Sequence, residues 1–290
     1  MKILLTGATG LLGSYLEPAL RASSATVVPV SHTSPPLSGG VNCDLTDPEA
    51  TARLLDVQEP DVIVHAAALT NVDRCETEPD VADRMNRLST ELLAAAPARL
   101  VFISTDSVFD GTRGGYSEDD EPAPVNEYAR SKLRAEEHVL ATASGVCVRT
   151  NFFGRSSRGH GLAEWLLREL EAEREVVGFE DVVFSPLYCR DVAHALVEIA
   201  LGDVTGLLHL GGPAVNKYDF GVLVAERFGL DPSLVKRGSI AEVALRAPRP
   251  LDTSLDSARA HSLLETPLHG VEEAVSAMAR DEPVPGRALS

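Results

Sequence analysis

Apolar residues in the first half of the chain fall into short runs separated by amphipathic stretches. Lys2–Thr6 (KILLT) is a brief apolar run that breaks into a glycine turn, and Leu11–Ala22 follows with helical spacing. Ala25–Val30, Asp61–His65, Arg99–Ser104 and Val146–Arg149 are further runs rich in β-branched or aromatic residues. Between them, residues 81–95 and Tyr128–Ala141 have helical composition. Short apolar runs without in/out alternation are strands covered on both faces, and their alternation with helices predicts βαβ units in a parallel sheet. The predicted fold class is α/β, a Rossmann-like doubly wound parallel sheet.

After Thr150 the rhythm changes. A loop rich in Gly and Arg (Gly154–Gly161) precedes helical patterns over Leu162–Arg174, Asp191–Leu201, Tyr218–Phe228 and Val271–Arg280. Strand patterns cover Val176–Phe179 and Leu207–Leu210. The expected organisation is a Rossmann domain at 1–150 and a smaller C-terminal substrate-binding lobe at 151–280, partly interleaved with it. A disordered tail is expected at 281–290.

Composition narrows the function classes. A chain of 290 residues with 44% hydrophobic content and no long apolar run predicts a globular protein outside the membrane. The opening MKILLTGATG turns too early to be a signal peptide, so cytoplasmic residence is the expectation. A net charge of −17 disfavours a nucleic-acid surface but leaves room for an anionic small ligand held by local Arg and backbone N–H groups. Cys43, Cys75, Cys147 and Cys189 form no C-x-x-C pair, which predicts reduced, packed thiols rather than a metal or disulfide scaffold. No metal site is expected.

Two patterns carry chemistry. Tyr128 and Lys132 stand four residues apart in a predicted helix and therefore share one face. With five Tyr and four Lys in the chain, a chance Tyr-x-x-x-Lys is expected only on the order of 0.1 times, against the alternative of an ordinary solvent-facing pair. A cation beside a phenol lowers its pKa, as a proton donor to a carbonyl oxygen requires. The second pattern, Gly7-Ala8-Thr9-Gly10-Leu11-Leu12-Gly13, lies where the first strand meets the first helix. Glycines there permit a tight turn and close backbone approach to a pyrophosphate on the helix N-terminus.

This glycine spacing with Tyr128 and Lys132 resembles the extended branch of the short-chain dehydrogenase/reductase superfamily. Further segments resemble its dTDP-4-dehydrorhamnose reductase subfamily: Ala66–Asp73, Ile103–Gly111, Arg149–Phe153 and Arg249–Asp256. The resemblance implies a nicotinamide cofactor bound by Gly7, Thr9, Gly10, Leu11, Leu12, Gly13, Asp44, Leu45, Ala66, Ala67, Ala68, Tyr128 and Lys132. It implies Thr105, Tyr128 and Lys132 as the catalytic set: Tyr128 protonates the ketone, Lys132 lowers the tyrosine pKa and holds the nicotinamide ribose, and Thr105 orients the substrate. It implies a nucleotide sugar as substrate, contacted by Thr70, Val72, Asp106, Ser107, Phe152, Phe153 and Arg249. The reaction implied is hydride transfer to C4 of a 4-keto-6-deoxyhexose, and a homodimer is compatible with it.

Several residues depart from the subfamily pattern or leave choices open. Ser107 stands where Tyr is usual, and Phe152–Phe153 where Trp is usual, which opens the identity of the sugar. Val30-Ser31-His32-Thr33 offers no carboxylate for an adenosine 2′-hydroxyl, so NADP is preferred, with NAD possible, and Ser31 and His32 are candidate phosphate contacts. Arg155, Arg158 and Arg249 are candidates for the substrate diphosphate. His65 reads as a packed histidine. Asp106-Ser107, rather than Asp-Glu, disfavours a dehydratase. An epimerase, or a non-catalytic NADP-binding subunit resembling the methionine adenosyltransferase β subunit, stays open as an alternative.

Overall fold

The main sheet uses six strands from the first half of the chain: β1 (Lys2–Thr6), β2 (Thr26–Ser31), β3 (Val41–Asn42), β4 (Val62–His65), β5 (Arg99–Thr105) and β6 (Val146–Thr150). The computed structural model describes residues 1–32, 37–155 and 161–281. The helices between these strands are α1 (Leu11–Ala22), α2 (Pro48–Gln58), α3 (Val72–Thr77), α4 (Pro79–Ala82), a π-helical turn (Asp83–Leu88), α5 (Ser89–Ala94) and α6 (Glu127–Leu140). Neighbouring strands run parallel, and side chains alternate between two cores. Ile3 and Leu5 of β1, Val64 of β4 and Ile103 of β5 enter one core. Leu4, Ile63 and Phe102 from the same strands enter the other. Burial of both faces is why these strands lack a polar alternation.

Two elements differ from the pattern-based prediction. The apolar pattern does not predict α2, because only Thr51 and Leu54 along it are buried, too few for an apolar stripe. Its signal is local. The Asp47 carboxylate accepts from the N–H groups of Glu49 and Ala50 at 2.9 and 3.2 Å, and Pro48 opens the helix. The single helix predicted over 81–95 is interrupted by the π turn, which carries the buried Asn86. Asn86 exchanges hydrogen bonds with the backbone of Leu69 (2.8 and 3.2 Å) and donates to Ser131 Oγ at 2.9 Å.

After β6 come β7 (Phe152–Phe153), α7 (Leu162–Glu171), β8 (Val176–Phe179), β9 (Val183–Phe184), β10 (Leu187–Tyr188) and α8 (Cys189–Leu201). They are followed by β11 (Gly206–Leu210), β12 (Val215–Asn216), α9 (Lys217–Arg227), β13 (Val235–Gly238), α10 (Ala258–Leu263) and α11 (Val271–Arg280). β11 joins the main sheet, whose order is β11-β6-β5-β4-β1-β2-β3. The chain after Thr150 therefore both completes the sheet and builds the small strand pairs β7·β10, β9·β12 and β8·β13. The tail expected to be disordered falls, beyond Asp281, outside the described residues. The chain leaves β1 outward through β2 and β3, then returns to β4 on the other side, so strand order reverses between β1 and β4. The crevice beyond the C-terminal strand ends at such a reversal is where ligands bind in open α/β sheets.

Candidate active site

The glycine turn between β1 and α1 sits at this reversal. Gly7 has φ +70°, and a Cβ there would lie 2.6–2.7 Å from the backbone of Ala66 and Ala67 at the end of β4. A Cβ on Gly13 would lie 2.2 Å from the Gly7 carbonyl oxygen. The Gly10 N–H closes the turn onto that oxygen at 2.9 Å, and no side chain caps the start of α1. The backbone N–H groups of the first turn, at Leu11, Leu12 and Gly13, carry the positive helix end and meet no protein acceptor among the described residues. This cradle fits a dinucleotide pyrophosphate. Thr9 is half-buried on its rim, whereas the Leu12 side chain belongs to the core.

The residues expected at the adenosine end lie on or just after β2 and β3. Ser31 closes β2, its carbonyl accepting from Cys43 N–H at 2.9 Å and its hydroxyl lying 3.3 Å from Asn42 Oδ1. His32 Nε2 stands 3.6 Å from the Asp44 carboxylate, and Leu45 packs half-buried beside it. Hydrogen bonds from Thr46 hold the Asp44 carboxyl below its ordinary pKa. Thr33 lies outside the described residues.

Across the crevice, Ala66, Ala67 and Ala68 leave β4 half-buried along the glycine turn. His65 is fully buried beneath them; its Nδ1 shares a 2.7 Å hydrogen bond with Thr6 Oγ1, and its ring stacks on Phe102. Burial and the charge of Lys132 push its pKa down to about 3, so it is a neutral packing residue.

At the end of β5, the Thr105 hydroxyl lies close enough to the Tyr128 phenol to lower its pKa, so the two predicted reacting groups are neighbours. Asn126 begins α6 by accepting from Ala129 N–H at 2.9 Å, and so aims Tyr128 at the strand end. The expected electrostatics differ. Burial raises the Tyr128 pKa above its ordinary value, and Thr105 rather than Lys132 is the group that offsets it. The reason is the reach of Lys132: its ammonium donates to the Ile103 carbonyl at 2.7 Å and lies 3.9 Å from the centre of the Phe102 ring. Burial brings its own pKa down to about 7, opposed by the charge of Glu136. Glu136 is in turn held by Arg149 through contacts of 2.6–3.2 Å and by Ser104 Oγ at 2.5 Å, all buried.

The predicted substrate residues divide. Thr70 is exposed, and Val72 starts α3 beyond it. Ser107 is half-buried, its N–H donating to Thr105 Oγ1 at 3.2 Å. Asp106 is buried and saturated: Asn151 and Thr253 donate to one carboxylate oxygen at 2.9 and 2.8 Å, Thr105 and Ser107 to the other at 3.2 Å. With 1% exposure and four donors, it braces the end of β5. Phe153 is not at the crevice; it is 2% exposed and packs on Tyr188 and Phe220, while Phe152 remains half-buried beside it. Arg249 is tied to Asp73 at 3.1 Å and to the Ala247 carbonyl at 2.8 Å, bordering an open depression of about 270 Å³. Arg155 lies over the Phe228 ring, and Arg158 is outside the described residues. The residues missed from sequence are Asn86, Glu136, Thr253 and Lys217. Each is an ordinary polar residue until the fold brings it beside the site.

The family model for the RmlD substrate binding domain matches residues 1–283. The chain belongs to this family. It is 35% identical, over 88% of its length and 90% of the relative, to a Haloferax volcanii protein named "Probable low-salt glycan biosynthesis reductase Agl14". It is 33% identical to the dTDP-4-dehydrorhamnose reductase of Mycolicibacterium smegmatis, over 94% and 84% of the two chains. It is also 32% identical to the methionine adenosyltransferase 2 subunit beta of Rattus norvegicus, over 90% and 82%. Among solved structures, a hypothetical dTDP-4-dehydrorhamnose reductase from Sulfolobus tokodaii superposes with TM-score 0.84 at 33% identity, covering 92% and 96%. The Bacillus anthracis dTDP-4-dehydrorhamnose reductase in complex with NADP superposes with TM-score 0.85 at 26% identity, covering 96% and 98%. No helix among the described residues is long and apolar enough to cross a membrane.

Proposed function

We propose that this protein is an NAD(P)H-dependent reductase of a nucleotide-activated 4-keto-6-deoxy sugar, with NADP the preferred cofactor. The observation that carries the reading is Thr105 beside Tyr128 at the end of β5, in a sheet whose β1 also ends at an uncapped glycine turn. When bound, the reduced nicotinamide supplies a hydride to C4 of the sugar. Tyr128 donates the proton to the ketone oxygen; its raised pKa keeps the phenol protonated at neutral pH, so the proton is in place to give. Thr105 shares that oxygen and orients it. Lys132, fixed on Ile103 one helical turn from the phenol, would hold the nicotinamide ribose and offset the charge of the tyrosinate left after transfer.

The test is loss of NADPH absorbance with dTDP-4-keto-6-deoxyglucose and its epimerase. Tyr128→Phe should lower kcat by roughly 10²- to 10⁴-fold, the usual worth of general acid catalysis, while NADPH affinity stays the same. Activity surviving in Tyr128→Phe would show that another group donates the proton. An epimerase would instead interconvert sugars without net consumption of NADPH. The similarity to the methionine adenosyltransferase β subunit supports a second reading, a non-catalytic NADP-binding subunit. Tight NADP(H) binding without turnover of any nucleotide 4-keto sugar would favour it and sink the reductase reading.

A further inference from the structure

Lys217 opens α9, and no step of the proton transfer uses it. Its ammonium lies 3.1 Å from the centre of the Phe184 ring, which is 3% exposed. The pairing of β9 with β12 sets this position: Val215 and Asn216, just before Lys217, pair with Phe184 and Val183. The Lys217 N–H, bonded to the Val182 carbonyl at 2.9 Å, continues the same ladder. Burial brings the ammonium pKa down to about 7, and the charge of Asp106 is what opposes that fall. The strand bonds fix the placement: Val183, paired with Asn216, accepts from Thr253 N–H at 3.1 Å, and Thr253 Oγ1 donates to Asp106 at 2.8 Å, so the start of α9 is tied to the end of β5, where Asp106 follows Thr105.

Asp106 is not its ion-pair partner. The carboxylate is already engaged by Asn151, Thr253, Thr105 and Ser107, all neutral donors. Among the described residues, no carboxylate forms an ion pair with Lys217 and no acceptor takes a hydrogen bond from its ammonium. An ammonium carries three donors, and a ring face satisfies at most the charge on one side. The ammonium keeps solvent access, so a ligand can reach its open donors, and only an anion supplies both acceptors and the missing countercharge.

We propose that Lys217 is a substrate-binding residue whose ammonium takes a diphosphate oxygen of the nucleotide sugar. The inference rests on the nucleotide-sugar reading, since the diphosphate is the anionic part of such a substrate.

The test titrates dTDP, and separately UDP, into NADP-saturated protein by calorimetry. Lys217→Met keeps the length and apolar stem of the side chain and removes the charge; Lys217→Gln keeps a polar head. Both should weaken dTDP and UDP alike, by roughly 10- to 100-fold, the worth of a hydrogen bond to a charged group. NADP affinity and thermal midpoint should stay at wild-type values, and Lys217→Arg should recover most of the loss. With the keto sugar, Lys217→Met should raise KM more than it lowers kcat. Equal dTDP affinity in wild type and both neutral variants would overturn the assignment. So would a loss confined to NADP, placing the cation on the cofactor, or a loss with dTDP but not UDP, placing it on the base. If turnover persists while Lys217→Met binds dTDP normally, this inference falls alone. A wild-type protein that binds neither nucleotide would take the nucleotide-sugar reading down with it.

Discussion

Replacing Glu136 with Gln should be among the most damaging single changes in the molecule, although Glu136 touches no ligand. α6 presents Tyr128, Lys132 and Glu136 at successive i+4 steps, and Glu136 and Arg149 are 1% and 3% exposed. Arg149 spends its Nε and Nη2 on Glu136, and its Nη1 has no partner among the described residues. Glu136→Gln would leave a buried guanidinium without countercharge, a change that costs about 3–5 kcal/mol. Against a typical folding stability of about 5–15 kcal/mol, that is a large fraction. Urea unfolding, read as midpoint and slope, measures it. Adding Arg149→Met to Glu136→Gln removes the orphaned charge and should recover at least half of the loss. A second consequence is kinetic. Glu136 is the group that holds the Lys132 ammonium up against burial, so its neutralisation takes the Lys132 pKa below about 7. Lys132 acts as a cation, and its charge is lost as pH rises through its pKa. The alkaline fall of kcat/KM should therefore move to lower pH. A stability within about 1 kcal/mol of wild type, or an unmoved alkaline limb, would refute this account of the pair.

Gly7→Ala should cost about 1–2 kcal/mol from the left-handed backbone alone and weaken NADPH by roughly tenfold or more, since the new Cβ, 2.6 Å from the Ala66 carbonyl carbon, forces the turn away from β4. Fluorescence titration with NADPH, alongside urea unfolding, checks both, and wild-type affinity would mean the turn does not hold the cofactor. His65 is depressed to about 3 in the folded chain from an ordinary 6.5. Its neutral form therefore contributes stability that is complete above pH 6.5 and is lost as pH falls toward 3. His65→Gln should flatten the drop in urea midpoint between about pH 7 and about pH 4; an unchanged drop would assign the acid sensitivity elsewhere.

Much of this molecule was legible in the sequence. The doubly wound sheet follows from short apolar runs that alternate with helices, because strands buried on both faces have no polar side to display. Gly7–Gly13 and the Tyr128/Lys132 spacing are equally local: a turn conformation and a helical period need only neighbours in the chain. Asp47-Pro48 was also there to be read, as the start of α2. Other features depend on contacts between distant segments. Phe153 and Phe152 look alike in sequence, yet packing against Tyr188 and Phe220 sends one into the core and leaves the other half-buried near the site. Lys132 was expected to act on the phenol, but β5 offers it the Ile103 carbonyl, and desolvation then decides the ionisation of both groups. Thr253 on Asp106, and Lys217 beside the same strand end, join β5 to segments more than a hundred residues away in the chain. Short-range periodicity determined the elements and the order of the reacting groups; long-range burial decided which charges are satisfied, because desolvation is a property of the assembled interior and of no segment by itself.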